Sequence, residues 1–449
     1  MNKRKCTLFL LVLFFLMTGY LYSQSHIDSL EQRLKVVGGK EKIQILNDLA
    51  EFYGDSSPEK SFQLAKAALE LSNKVNDKVG IAESYYQGGM SNLRANSYIL
   101  AYDNIQKSIK IFRYLNIKSG VSRCLNALGL IYKGWDIYEE AYQYFNQALK
   151  INEEIGNKKG IARNQKNIGN INQHIGYTDK ALDNYQYALK VAEEIGDKKL
   201  CGTIFSAIGD LYMSINDFKK AMVYFIKDLN TFEELNDKKN ISDALNNIGN
   251  IYESMGNNQS ALLYYQKALG IQLEISFKSG EAQSLLNISN ILIKNKDFTQ
   301  AKKYLDQSLE IGIEDNLKTV LKTANLYYSN LYYEKNDYKN ALVYYKLHSF
   351  LSDTIFNENI NRKMTEMQGR FEALKLEKED ELKESASLIQ QMKAERKTSL
   401  IYFITVVVLL VIIMLVVVSN LRNQKQKLHK MLADKNPSIA KDYRKFKGK

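Results

Sequence analysis

Histidine and cysteine are scarce in this chain and scattered. The four histidines are His26, His174, His348 and His429, and no His-Glu-x-x-His or Cys-x-x-Cys spacing brings metal ligands together. No metal site is expected from such a set. Gly88-Gly89 is a lone glycine pair without the lysine and hydroxyl of a phosphate loop, and it reads as a helix-packing position. No Gly-x-Ser-x-Gly elbow occurs. Carboxylates are many, but they fall on the solvated sides of helical patterns, and pairing any two as acid and base is arbitrary. The residues therefore predict no enzyme, no catalytic residue and no cofactor. What they can do is hydrogen-bond and pair charges, so the elements that display them become the question.

Composition points to helices. The chain has 449 residues with only Pro58 and Pro437 as prolines, and proline is the residue that helix interiors exclude. Tyrosine is abundant, with 30 copies, a side chain that fills space between helices and keeps a polar tip at the rim. The net charge of +12 suggests nucleic acid until it is located. Lys3, Arg4 and Lys5 stand at the start, and the segment from Asn420 to Lys449 carries ten basic and two acidic residues. The body between is close to neutral, so the basicity reads as membrane topology and no nucleic-acid partner is expected.

Two apolar segments differ in kind. Residues 1–23 have a basic start, an apolar run from Leu8 to Met17 too short to span a bilayer, and small or polar residues after it. That is a signal-peptide pattern. Leu400 to Val418 is a longer run without a charge, interrupted in polarity only by Tyr402 and Thr405. At about 1.5 Å per residue it reaches roughly 28 Å, a bilayer core. Arg422, Lys425, Lys427 and Lys430 follow it, whereas the residues before it mix Arg396 and Lys397 with many acids. The excess of cations on one flank puts the body outside the cytoplasm and the tail inside.

The body repeats. In steps of 40 from Glu41 to Ile360 the chain falls into eight units. Position 9 is Gly89, Gly129, Gly169, Gly209 and Gly249, then Ser289 and Ser329; position 21 is alanine from Ala101 to Ala341. Position 25 is large: Ile105, Phe145, Tyr185, Phe225, Tyr265, Leu305 and Tyr345. Small residues at 9 and 28 predict two helices in close approach, with the side chain at 25 filling the groove beside them. Apolar stripes with helical spacing, such as Leu125, Leu128, Ile131 and Tyr132, alternate with turn residues such as Asn216-Asp217 and Gly256-Asn257. Gly156 and Gly196 suit the left-handed residue after a helix. Cys124 and Cys201 lie about two repeats apart and read as separate buried thiols.

The units, for example NNIGNIYESMGNNQSALLYYQKAL, resemble the tetratricopeptide repeat, with a period of 40 in place of the commoner 34 and without its closing proline. The resemblance implies an all-α, right-handed α-solenoid of about eight helical hairpins, whose first helices line a concave groove holding a peptide or protein. On that scheme the groove positions carry Arg163, Lys166, Asn167, Asn170, Asp210, Asn246, Asn247, Asn250, Asn290 and Asn330. Asparagine offers both a donor and an acceptor to a peptide backbone. The family's carboxylate clamp is interrupted at Ala127, Leu130 and Ala207.

After the repeats, Ile360, Met364, Met367, Phe371 and Leu374 space as a heptad seam that predicts a homodimerising stalk. The layout resembles bacterial periplasmic-repeat sensor proteins, whose fuller members place a histidine kinase or helix-turn-helix output domain after the span. Only the short segment 419–449 follows the apolar run, which predicts action through a cytoplasmic partner at the basic tail. The expected organisation is a signal peptide over 1–23, a capping helix over 24–40 and repeats over 41–360. A charged stalk over 361–398, a single inner-membrane span over 399–419 and a cytoplasmic tail over 420–449 complete it, with the repeats in the periplasm.

Overall fold

A computed structural model describes residues 29–54 and 57–435. The signal-peptide pattern and the last basic residues lie outside them. A short helix over 29–36 (α1) precedes sixteen longer ones, and no strand occurs among the described residues. The longer helices pair as hairpins. These are α2 (Gly39–Tyr53) with α3 (Pro58–Lys74), α4 (Lys78–Arg94) with α5 (Tyr98–Tyr114), and α6 (Lys118–Gly134) with α7 (Tyr138–Glu154). Next come α8 (Lys158–His174) with α9 (Thr178–Glu194), α10 (Lys198–Ser214) with α11 (Phe218–Glu234), and α12 (Lys238–Ser254) with α13 (Asn258–Glu274). The last are α14 (Lys278–Lys294) with α15 (Phe298–Glu314), and α16 (Lys318–Glu334) with the start of α17 (Tyr338–Lys435).

From α3 to α16 every helix has the same length, 17 residues, and a three-residue turn joins it to the next. Two such helices with their turns make the forty-residue period. Each helix is closed by one device. From Asn76 to Asn336 every twentieth residue has φ between 51° and 86°. Most of them are asparagine or glycine, the residues that adopt this backbone at least cost; Asp136, Ser276 and Lys296 are the exceptions. The next amide reaches back to the carbonyl five residues earlier, as Asp77 does to Ser72 (2.9 Å) and Asp217 to Tyr212 (2.9 Å). This Schellman closure satisfies helix-end carbonyls. The same turn then starts the following helix: the Asp197, Asp217, Asp237 and Asp297 side chains accept from the amide three residues on. Ser57 caps α3 in the same way, with Pro58 in the first turn.

Packing follows the small and large positions. A Cβ built on Gly129, Gly169, Gly209 or Gly249 would lie 2.5–2.7 Å from the ring of Phe145, Tyr185, Phe225 or Tyr265. The glycine is therefore what lets the position-25 ring cross to the first helix. Ala101, Ala141, Ala181, Ala221, Ala261 and Ala301 are fully buried. Positions 12 and 24 also act as a pair. Tyrosine faces tyrosine in Tyr132–Tyr144, Tyr212–Tyr224, Tyr252–Tyr264 and Tyr332–Tyr344, with centroids 5.1–5.7 Å apart and near-parallel rings. In the fourth hairpin both positions become asparagine, and Asn172 Nδ2 donates to Asn184 Oδ1 at 2.8 Å. Either pairing satisfies the site; a mixed one leaves an amide facing a ring.

First helices touch the first helices of the next hairpin (α2 with α4, α4 with α6, α6 with α8, α8 with α10, α12 with α14, α14 with α16), so they form the inner layer. Second helices touch the following first helices. The pair α10 and α12 makes the least contact within this inner row. Cys124 and Cys201 are both free and buried, and burial pushes the Cys124 thiol up to about 12.

The chain divides into two compact units, Met1–Arg370 and Phe371–Lys449, with the boundary inside α17. In the second unit, the stretch within Ser385–Leu432 is long and apolar enough to cross a membrane. Its side chains from Leu400 to Val418 are all exposed. The seam residues Ile360, Met364, Met367, Phe371 and Leu374 lie on α17, outside the residues whose side chains are described.

Candidate functional site

The first-helix positions 3, 6, 7, 10, 13 and 14, which the repeat register assigns to the groove, carry side chains of two kinds. One kind is held by the fold. Tyr185 reaches past Gly169, and its hydroxyl lies 2.8 Å from Asn170 Oδ1 and 2.7 Å from Gln173 Oε1, with one proton to give to either. Tyr265 does the same past Gly249, its hydroxyl within reach of Asn250 Oδ1 (2.8 Å) and Glu253 Oε2 (2.7 Å), with one proton to give to either. The hydroxyls are thus carried from the second helix through to the groove. Burial raises both phenols far above the ordinary tyrosine range, and the nearby acids Asp210 and Glu253 add to it, so both stay protonated.

Further groove residues are held by their neighbours. Asn167 is buried and donates to Asn126 Oδ1 at 2.9 Å. Asn164 donates to the same oxygen (3.0 Å) and accepts from the buried Asn152 (2.8 Å), which stitches α6, α7 and α8. Asn246 accepts from Ser284 at 3.0 Å, and Asn290 donates to Glu253 Oε1 at 2.8 Å. Lys294 pairs with the same carboxylate at 2.7 Å. Arg123 grips Glu83 across adjacent hairpins through both guanidinium nitrogens, at 2.8 and 2.5 Å. Burial is outweighed by this pairing, and the Arg123 guanidinium is held charged.

The second kind has no partner among the described residues. Arg163 and Lys166 on α8, Asp210 on α10, Asn247 on α12 and Asn330 on α16 make no described hydrogen bond or ion pair. Lys166 is half-buried, and burial together with the charges of Arg163 and Lys133 lowers its ammonium to about 8. Burial raises the Asp210 carboxyl to about 6. The ten residues read from the repeat register thus all lie on first helices. Asn167, Asn170, Asn246, Asn250 and Asn290 are engaged within the scaffold; the other five make no described hydrogen bond or ion pair. Two residues escaped the sequence reading. Lys133 occupies position 13 beside Lys166, and Asp228 occupies position 28, where Ala148, Ala188 and Ala268 stand in other hairpins. An acid at a small-residue position was the available signal for Asp228.

No group of three or more histidine, cysteine and acidic side chains that could hold a metal occurs among the described residues. His174 packs against Tyr138 at 4.2 Å, and His348 Nδ1 lies 3.0 Å from the Lys322 carbonyl, so each has a structural contact.

The hairpins and their polar inner face define a helical-repeat scaffold. Family models described as the tetratricopeptide repeat match residues 122–155, 242–272 and 282–311. Those three segments are tetratricopeptide repeats, and the neighbouring hairpins share their helix and turn lengths. Aspartyl phosphate phosphatase F from Bacillus subtilis is similar in fold, at 16% identity over 76% of this chain and 91% of that one, with a TM-score of 0.52. A signal transduction ATPase with a tetratricopeptide repeat sensor from Pyrococcus horikoshii gives 16% identity, 74% and 56% coverage, and a TM-score of 0.50. The apo quorum sensor NprR from B. thuringiensis gives 16%, 76% and 97%, with a TM-score of 0.49. No curated protein matches the chain.

Proposed function

We propose that the chain is a non-enzymatic, membrane-anchored regulatory protein whose repeats bind a peptide or protein outside the inner membrane and whose effect is completed by a cytoplasmic partner. The observation that supports binding is the unengaged polar side of the inner layer, in a fold that otherwise pairs its polar groups closely. The observation that supports the anchor is a run from Leu400 to Val418 with every side chain exposed. Such a run is unstable in water and favourable in lipid, at about −0.3 to −0.6 kcal/mol for each central Leu, Ile, Val or Phe. The cationic flank after it supports a periplasmic body, and the heptad spacing before it supports a homodimer through the stalk.

Site-specific photo-crosslinking in intact cells tests this reading. A crosslinking side chain at Asn247 or Asn330 on the inner layer is expected to capture a discrete partner. One at Tyr187 or Val223, exposed on second helices, is not. Equal capture from both faces, or none from the groove, overturns it. Removing the residues after Arg422 is expected to abolish the regulatory effect while leaving groove capture intact. An unchanged phenotype would instead identify a static envelope scaffold.

A further inference from the structure

Unpaired charges in the inner layer are sorted by sign along the solenoid. Successive repeats pair their charges in register: Lys118 with Glu154, Lys158 with Glu194, Lys198 with Glu234 and Lys238 with Glu274, with Lys159–Asp197 and Lys199–Asp237 beside two of them. Against that habit, Lys133, Arg163 and Lys166 on α6 and α8 form no ion pair among the described residues; the Arg163 charge reaches Asp197, which is already paired with Lys159. Arg163 and Lys133 both act on the Lys166 ammonium. Further along, Asp210 on α10, Asp228 on α11 and Asp243 on α12 likewise make no described ion pair. Lys239 acts on Asp243 from the same helix.

Asp228 is the most informative of the six. It is 3% exposed, its Oδ1 has no hydrogen-bond partner, and the charges of Asp210 and Asp243 both reach it. A buried, unpartnered carboxyl between two other acids is costly to the scaffold alone, as is a half-buried lysine beside two cations. An anion beside Lys166 and a cation beside the exposed Asp210 and Asp243 would offset the like-charge repulsion within each cluster, while the Asp228 carboxyl, raised to about 8, stays protonated. Asp210 and Asp243 lie on α10 and α12, the neighbouring first helices that make the least contact.

Resting on the groove-binding reading above, we propose that the occupant is an extended peptide segment carrying both signs of charge. Its carboxylate lies against Lys133, Arg163 and Lys166, and its ammonium or guanidinium against the exposed Asp210 and Asp243, whose charges reach the buried Asp228. Packed helices stand about 8–10 Å apart, so the clusters are separated by roughly one to two helix spacings, about 10–20 Å. An extended chain rising about 3.3 Å per residue covers that in roughly three to six residues. The paired Glu83–Arg123 and Glu253–Lys294 groups on either side leave the register to the two unpaired clusters.

The test is selection of displayed random nonapeptides on the purified full-length chain in detergent. Enriched peptides are expected to carry one acidic and one basic residue three to six positions apart. For a synthesised winner, Lys166→Gln and Asp210→Asn should each weaken binding about tenfold to a hundredfold. Lys166→Glu should redirect selection toward peptides with two basic residues, and Asp210→Lys toward peptides with two acidic ones, each chain keeping its helical circular dichroism. Enriched peptides with no such charge pattern, or variants that leave selection unchanged, overturn this inference and leave groove binding standing. Failure of the parent chain to enrich any peptide overturns both.

Discussion

Asp228 breaks the rule that its repeat position obeys elsewhere. In the second and seventh hairpins that position holds Ser108 and Ser308, whose hydroxyls donate to the Ala82 carbonyl (2.7 Å) and the Ala282 carbonyl (3.0 Å). Burial, with Asp210 and Asp243 adding, pushes the Asp228 carboxyl up to about 8. Lys239 on α12 is the nearby cation, and it acts on Asp243. An unfolded aspartate ionises near 3.8, so between about pH 4 and 8 the unfolded chain gives up a proton that the folded chain keeps. Stability from this group is therefore full below about pH 4 and is lost progressively up to about pH 8. Asp228→Asn should melt higher than the parent at pH 8, with the gap closing toward pH 4; a gap independent of pH would reject this. Lys296 is a second exception. It holds φ of 65° where other turns use Asn or Gly, so Lys296→Gly should raise stability by about 0.5–1 kcal/mol in chemical denaturation.

At the scale of helices, the glycine at position 9 and the ring at position 25 decide each hairpin. Gly209→Ala places a Cβ 2.7 Å from the Phe225 ring, which is itself fully buried. It should cost about 1–3 kcal/mol, and Ala221→Leu, at a fully buried position, a similar amount. Melting curves unchanged by both would show that this hairpin interface is misassigned. This much of the fold was legible in the sequence, because small and large residues recur at a fixed spacing and each turn carries a residue suited to left-handed backbone. The particular scaffold partners of Asn170 and Asn250 were not legible there. Their partners arrive from the second helix, 15 residues later, and only the pairing in space shows that a phenol hydroxyl occupies the amide oxygen. The trace is nevertheless present. Tyrosine at position 25 goes with asparagine at 10 and a long polar residue at 13 in the fourth and sixth hairpins, whereas Phe145 goes with Leu130 and Phe225 with the unpartnered Asp210.

At the scale of the solenoid, each hairpin meets only its neighbours, and the same interfaces recur with every unit. Stability should then behave as a sum of repeat and junction terms. Excising residues 201–240 brings α9 against α12, and it replaces each lost contact with an equivalent one. Lys198 loses Glu234 and meets Glu274 at the same register position, and the turn preceding the new first helix still ends in Asp197. The shortened chain is expected to keep its helical signal per residue and a cooperative melt at somewhat lower temperature. Excising only 201–234, a length equal to the commoner tetratricopeptide period, instead removes most of a hairpin and puts the left-handed turn residue out of step with its helix end. That chain should lose cooperativity. The two deletions differ only in residues 235–240, so a shared outcome would mean that register does not hold the solenoid together. The 201–240 deletion also removes Asp210 and Asp228 while keeping Lys133, Arg163 and Lys166. A chain that stays folded but loses discrimination for a basic residue in its selected peptides would separate the groove's charge order from the scaffold that carries it.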